Sequence, residues 1–272
     1  SAIAAPFNLD EVKSMLRFGI PLILGGLAFW GLTALDKVFL RIFSSYEELA
    51  VYSVSVSFAA AATIFQSVFS TVWAPTVYKW ASSGEGLENV EKTTRFVLAI
   101  VVLLFCLAGL FSWVVTYFLP SEYNSMQWIV VSCLGFPLLY TLSETTVVGI
   151  GISRRSSFAM LAALVAFSVN CIINWWLVPI LGARGAAVGT SVSFFVFFVL
   201  RTEFSIYLWR KRARLKIYSY TTLVVFTAAA FTIFGDNYSR EFLFLWCFTF
   251  FICILGFYRE YMSFFKYIYK FK

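Results

Sequence analysis

The sequence predicts an all-α membrane protein, a polytopic helical bundle of about eight transmembrane helices. Of the 272 residues, 61% are hydrophobic and only 13% are charged, a balance that a soluble domain of this size could not solvate. Mostly apolar runs of about 20 residues, enough to cross about 30 Å of hydrocarbon as a helix, recur along the chain. These runs lack the alternation of barrel strands, so helices are the expected way to satisfy the backbone in lipid.

Eight such runs follow one another with short connections. We place them near 18–43, 49–75, 96–119, 124–150, 156–178, 185–208, 217–235 and 242–258. The first run is too long for a secretory signal and has no small-residue cleavage site, so we expect it to be a span. The last run is dense in phenylalanine and has few small residues, a composition typical of a lipid-facing helix.

Basic and amphipathic segments divide the chain into four parts. We expect an amphipathic cytoplasmic segment over 1–17, a six-helix lobe over 18–208, a basic cytoplasmic linker over 209–216, and a two-helix appendage with a basic tail over 217–272. The linker contains the run RKRARLK, which separates the last two spans from the first six.

The distribution of lysine and arginine predicts the orientation. With both termini inside, sixteen basic residues lie on the cytoplasmic side, Arg201 lies within a span, and four lie outside. The outer four are Lys37, Arg41, Arg184 and Arg240. Topology and attraction to anionic lipid therefore account for the net charge of +7, and we expect no nucleic acid partner.

Histidine is absent, and all five cysteines fall within the predicted spans without a Cys-x-x-Cys spacing. The usual proton shuttle, metal ligand and general base is therefore missing, and the cysteines are interpreted as small apolar side chains. We expect no enzymatic activity, no cofactor and no metal site.

Polar side chains inside the predicted spans are the candidate functional residues, because each is costly in lipid and tends to face a cavity or another helix. They are Asp36, Lys37, Arg41, Gln66, Glu144, Asn170 and Asn174. Lys37 and Arg41 share one helical face, whereas Asp36 points elsewhere. Arg201 and Glu203, toward the inner end of the sixth run, are expected to snorkel.

Each candidate also has a purely structural interpretation. The two outer cations could snorkel to the headgroups. Glu144 lies about 12 Å inward of the centre of its span, so it could reach the inner interface or pair with Arg154. Asn170 and Asn174, one turn apart on one helix face, could hydrogen-bond a neighbouring helix.

Two stretches resemble a known family. Residues 20–80, from IPLILGG to VYKW, resemble the start of the second lobe of Wzx-type polysaccharide flippases, with the Asp36–Lys37 pair, the YSV motif at Tyr52, and Trp73 two residues before Pro75. Residues 168–194, SVNCIINWWLVPILGARGAAVGTSVSF, are similar to that family's asparagine-containing helix, proline and Gly-x-x-Gly-Ala-Ala motif.

The resemblance implies a MATE-like transporter of the MOP flippase superfamily, with two six-helix lobes around a central cavity. Such a protein moves an undecaprenyl-pyrophosphate-linked oligosaccharide across the bacterial inner membrane by alternating access, for lipopolysaccharide O-antigen or other surface polysaccharide. This chain would hold the second lobe plus two C-terminal helices. The expected partners are the lipid-linked oligosaccharide, membrane lipids, a missing first six-helix lobe and other polysaccharide assembly proteins.

One position departs from the family pattern. Where the family usually has arginine after the acid, this sequence has Lys37, which cannot make bidentate phosphate contacts. Under this interpretation Asp36 and Lys37 line or gate the outer mouth of the cavity.

Three alternatives stay open. An exporter of small amphipathic cations would favour acidic cavity residues, for which Asp36 and Glu144 are thin support. A membrane enzyme such as an O-antigen polymerase or acyltransferase would be expected to have a large outer loop or a catalytic cluster, and the sequence has neither. A non-transporting or truncated subunit is the third, since the first lobe is not part of this sequence.

Overall fold

A computed structural model describes residues 9–83 and 86–270, and these residues form an α-helical bundle without strands. The helices are α1 (Leu9–Phe43), α2 (Tyr46–Ala59), α3 (Ala61–Ser83), α4 (Gly86–Phe111), α5 (Met126–Cys133), α6 (Gly135–Thr146), α7 (Val148–Ile152), α8 (Ser156–Leu181), α9 (Ala183–Leu208), α10 (Leu215–Phe234), α11 (Ser239–Gly256) and α12 (Tyr258–Lys270). The predicted all-α class is confirmed. Residues 1–8 of the predicted amphipathic segment and the last two residues of the tail lie outside the described residues.

The eight predicted runs each correspond to a helix, or to neighbouring helices, in the described part of the chain. Seven stretches are long and apolar enough to cross a membrane: Met15–Phe43, Glu88–Tyr117, Met126–Thr146, Ser156–Leu181, Ala183–Leu208, Leu215–Phe234 and Ser239–Gly256. The eighth is the pair α2 and α3, which passes the same test as a unit but is bent by 44°. The described helices are therefore those of a multi-pass membrane protein.

The bend between α2 and α3 coincides with a local change in hydrogen bonding. The Thr63 hydroxyl donates to the Ala60 carbonyl at 2.6 Å, and the Thr63 amide donates to the same oxygen at 2.9 Å. A side-chain donor of this kind competes with the regular helical ladder and lets the helix bend. The second span is consequently a broken helix, which its sequence did not indicate.

A single carboxylate organises the turns at one end of the bundle. Ser45 caps α2 by accepting from the Glu48 amide at 3.2 Å, and the Glu48 carboxylate accepts from the Ala183 amide at the start of α9 at 2.7 Å. The one-residue turn before α9 is Gly182, with φ +55°, where a Cβ would collide with the Glu48 carboxylate. Glycine is required at this turn by both its backbone angle and its neighbour.

The opposite end carries the 209–214 linker and the turn between α7 and α8, and we call it the basic end. There the Arg212 guanidinium donates to Thr94 at 2.9 Å, which ties the linker to α4. Glu203 accepts from Arg214 and, at 2.7 Å, from the Tyr218 hydroxyl, so this carboxylate is paired within the protein rather than snorkelling alone. The linker is therefore bound to the bundle by charged contacts.

The last two spans share a core with the first six. Trp246 of α11 is fully buried, whereas Phe244, Phe248 and Phe251 of the same helix are exposed. The exposed phenylalanines agree with a helix whose outer face meets lipid, and the buried tryptophan anchors its inner face. Gly109 of α4 makes room for this indole, because a Cβ at Gly109 would overlap the Trp246 ring.

Replacing Gly109 with alanine is expected to lower the free energy of unfolding by about 1–3 kcal/mol, because the indole must shift in a packed core. Gly19→Ala is the matched control, since nothing lies within 4 Å of a Cβ at that position. That variant should be neutral or stabilising by up to about 1 kcal/mol from helix propensity. Thermal unfolding of both variants in detergent measures the difference, and equal midpoints would contradict the packing assignment.

Candidate functional site

A buried carboxylate with four hydrogen-bond donors lies inside the bundle. Asp36 is 1% exposed. Its Oδ1 accepts from the Nδ2 atoms of Asn174 at 2.7 Å and Asn170 at 3.1 Å. Its Oδ2 accepts from the Tyr52 hydroxyl at 2.6 Å and the Thr190 hydroxyl at 2.5 Å. Hydrogen bonds from neutral groups of this kind stabilise a carboxylate without a neighbouring cation.

Close packing of α1 against α8 brings these side chains together. A Cβ at Gly25 would lie 3.1 Å from the Met160 Cα, and a Cβ at Gly31 would lie 2.5 Å from the Phe167 ring. Small residues allow membrane helices to approach to this distance. Helices α1, α2, α8 and α9 each contribute to the group around Asp36, which we call the Asp36 cluster: Asp36, Tyr52, Asn170, Asn174 and Thr190.

Two oxygen atoms of the Asp36 cluster are unused. Asn170 Oδ1 and Asn174 Oδ1 are buried and have no hydrogen-bond partner within the described ranges. Over residues 9–83 and 86–270, no three His, Cys, Asp or Glu side chains are grouped so that they could hold a metal. The cluster therefore joins four helices and leaves two amide oxygens unpaired.

Lys37 and Arg41 are not part of the Asp36 cluster. Both side chains are exposed on the surface of the bundle. The Arg41 guanidinium lies 4.0 Å from the centre of the Tyr46 ring, a cation–π contact at the turn that follows α1. The structure thus separates the two predicted cations from the acid that precedes them.

A second charged group lies nearer the basic end. Glu144 of α6 and Arg201 of α9 form an ion pair at 2.9 Å, and their side chains are only 16% and 12% exposed. The guanidinium also donates to the Ser143 hydroxyl at 2.6 Å and lies over the rings of Phe197 and Tyr140. Arg201 therefore lies inside the protein, and the expectation that it snorkels was wrong.

The ion pair borders a cavity of about 330 Å³. Trp73 lies in the cavity wall and donates from its indole nitrogen to the Glu144 carbonyl at 2.8 Å. Arg154 lines the same cavity, but the partner of the Glu144 carboxylate is Arg201. The suggested pairing of Glu144 with Arg154 is replaced by a pairing across two helices.

Gln66 lies apart from both charged groups, in α3. Its Oε1 and the Oγ of Ser70, one turn later, are buried and have no hydrogen-bond partner in the part of the chain that the structure describes. Buried polar atoms are normally paired, so these two oxygens are exceptions that the described bundle leaves unsatisfied. The structure therefore brings three of the candidates together, Asp36, Asn170 and Asn174, and places the others at separate positions.

Sequence reasoning did not find the contacts of three side chains: Tyr52 and Thr190 were given no role, and Arg201 was expected to snorkel. Tyr52 belongs to the motif that carried the resemblance, but its role as a donor to Asp36 was not assigned. Many helical threonines bond to their own backbone, and Thr190 Oγ1 lies 3.1 Å from the Ala186 carbonyl, but its one proton has the shorter bond to Asp36. Their contacts are recognised only in the tertiary structure, because each joins two different helices.

Part of the chain is similar to a known protein family. Residues 1–128 match the family model described as Polysaccharide biosynthesis protein. The match covers α1 to α4 and the beginning of α5, and with them Asp36, Tyr52 and Gln66. No curated protein and no solved structure matches the chain. The match supports a membrane protein of polysaccharide biosynthesis.

Proposed function

We propose that this chain is one lobe of a flippase that moves an undecaprenyl-pyrophosphate-linked oligosaccharide across the bacterial inner membrane. The proposal includes alternating access, cytoplasmic termini and a second six-helix lobe as partner. A sugar headgroup with a pyrophosphate cannot cross hydrocarbon unaided, so its carrier needs a polar cavity that opens to one side at a time. The proposed activity is transport and not catalysis.

One observation carries the proposal: Gln66 Oε1 and Ser70 Oγ are buried without a hydrogen-bond partner within the described bundle. Both residues lie in the stretch that matches the polysaccharide biosynthesis family. Hydrocarbon offers no hydrogen-bond partner, and polar groups at this depth are tolerated where they meet water or another polar surface. In the proposal, movement at the nearby bend opens these buried oxygens to a hydrated cavity between two lobes, where water or the headgroup satisfies them.

The Asp36 cluster has a supporting role in this proposal. It binds four helices together through one carboxylate, so a change in its hydrogen bonds would alter several helix contacts at once. Such a shared contact suits a protein that must pass between two arrangements of packed helices. In the proposal, opening or closing of the outer mouth changes the hydrogen bonds of the Asp36 cluster and thereby the packing of the four helices.

Export of small amphipathic cations is less well supported. A cationic cargo needs a free carboxylate in the cavity, but Asp36 accepts from four donors and Glu144 is paired with Arg201. Neither predicted acid is left to bind a cation without breaking an existing contact. A headgroup rich in hydroxyls and phosphate does not make that demand.

Lys37→Ala and Arg41→Ala are each expected to reduce flipping more than Arg259→Ala does. Lys37 and Arg41 are exposed cations of α1 near the proposed outer mouth, whereas Arg259 is an exposed cation of α12 on the basic end. The chain is coexpressed with a first-lobe polypeptide in a host that lacks its own flippase, and surface polysaccharide is measured. Equal activity of all three variants would contradict the placement of Lys37 and Arg41 at the cavity.

The same coexpression separates transport from a non-transporting role. Surface polysaccharide should depend on both polypeptides, with neither alone sufficient. Polysaccharide that is unchanged when this chain is omitted would contradict the proposed function.

A further inference from the structure

An open, arginine-lined cavity of about 1050 Å³ lies at the basic end, between the first turns of α1 and the start of α8. Arg17, Arg154 and Arg155 line it, together with Ser156 and Ser157. All three arginines are exposed, and within the described residues none has a carboxylate oxygen within 4.0 Å. The cavity therefore brings together three cations and no acid that neutralises them.

The walls of this cavity are tied together. The Ser156 hydroxyl donates to the Phe18 carbonyl at 3.0 Å, which joins the start of α8 to α1. Helix α8 runs for 26 residues, and its N-cap, Arg155, provides no side-chain cap. The first amides of a helix have no partner within it, so those of Ser156 and Ser157 add donors to the positive charge of the arginines.

The chemistry of this wall matches phosphate. Guanidinium groups bind phosphate oxygens with two parallel hydrogen bonds, and this geometry distinguishes them from lysine. Apolar side chains adjoin the cavity, because Phe18 and Pro21 line it and Leu24, three residues after Pro21 on the same face of α1, is exposed. An anion with an attached hydrocarbon chain fits both surfaces at once.

We propose that this cavity, formed by Arg17, Arg154 and Arg155, binds the phosphate headgroup of an anionic lipid whose chain lies along the exposed face of α1. The headgroup could belong to a phospholipid or to an isoprenoid pyrophosphate, and both present the same phosphate oxygens. Phe18, Arg154 and Ser156 also line the cavity that holds the Glu144–Arg201 pair, so the bound headgroup lies next to that interior site. The lipid site stands independently of flipping.

Native mass spectrometry of the full chain, released from detergent, tests the proposal. Phosphatidylglycerol and undecaprenyl pyrophosphate are offered separately, with phosphatidylcholine as the reference lipid. We expect at least one anionic lipid to be retained in preference to phosphatidylcholine, and the preferred one identifies the source of the headgroup. Arg17→Gln/Arg154→Gln/Arg155→Gln should reduce that retention about tenfold, a loss of about 1.4 kcal/mol in binding free energy.

The matched control is Arg210→Gln/Lys211→Gln/Arg259→Gln, which removes three exposed charges from the same end outside the cavity. It should retain the lipid as the wild type does, and an equal loss in both triple variants would overturn the site. If the glutamine variant does not fold, the triple arginine-to-lysine variant keeps the charge and should still lose retention severalfold. Unchanged retention in the lysine variant, or displacement of the lipid by equimolar inorganic pyrophosphate, would also overturn it.

Discussion

Replacing Asp36 with alanine is expected to abolish flipping and to lower the free energy of unfolding by about 2–4 kcal/mol. Tyr52, Asn170, Asn174 and Thr190 would lose the acceptor that they share, at about 1–3 kcal/mol for each buried donor left unpaired, and some would find new partners. Unfolding in detergent and surface polysaccharide in the coexpression host measure the two effects. Glu122→Ala is the control, because this carboxylate is exposed and should shift stability by less than about 0.5 kcal/mol.

Asp36→Asn removes the negative charge but keeps nearly the same side-chain shape, so it tests the role of the charge. The amide keeps one acceptor oxygen but directs its own N–H groups toward neighbouring donors, so a loss of about 1–3 kcal/mol is expected. Enough protein should remain folded for transport to be measured. Flipping at the wild-type rate in this variant would show that the charge of Asp36 has no functional role and that the cluster only binds helices together.

Glu144→Gln and Arg201→Gln are each expected to lower the free energy of unfolding by about 3–5 kcal/mol, since either change leaves the opposite charge enclosed without its partner. The double variant should be more stable than the sum of the two losses predicts, with a coupling of about 1–3 kcal/mol. Unfolding of the wild type, the two single variants and the double variant in the same detergent gives a double-mutant cycle. The more exposed pair Glu91 and Arg95, 3.9 Å apart with side chains 32% and 58% exposed, is the control and should couple by no more than about 0.5 kcal/mol.

Flipping by the double variant shows whether Arg201 only neutralises Glu144 or also contributes to transport. If Arg201 provides positive charge to a cavity that admits pyrophosphate, the double variant should regain stability and still transport poorly. Recovery of both properties would show that Arg201 serves only to neutralise Glu144. No detectable coupling in the cycle would contradict the ion pair itself.

The number and positions of the spans were predictable because apolar length is a local property. The bend at Ala60 was not, because no proline marks it and the Thr63 hydroxyl bond beside it has a counterpart, from Thr33 to Trp30, within the unbroken α1. The start of α9 depends on Glu48, which lies 135 residues earlier in the chain. No window of sequence contains both partners of that contact.

The candidate residues were recognised one at a time, by their cost in lipid. Asp36, Asn170 and Asn174 were all selected, but nothing in their spacing shows that one carboxylate accepts from both amides. Arg201 was assigned to the interface because it lies near the end of its run. The tertiary structure places it against Glu144, 57 positions away.

By itself, the sequence determined that this chain is an α-helical membrane protein with eight apolar runs, and which side chains inside those runs need an explanation. Both conclusions follow from composition and from the cost of polarity in hydrocarbon, which apply residue by residue. Only the tertiary structure decided how those side chains are satisfied. Packing of α1 against α8 and of α6 against α9 turns separate costly residues into the Asp36 cluster and the Glu144–Arg201 pair, because hydrogen bonds and ion pairs depend on distances across helices.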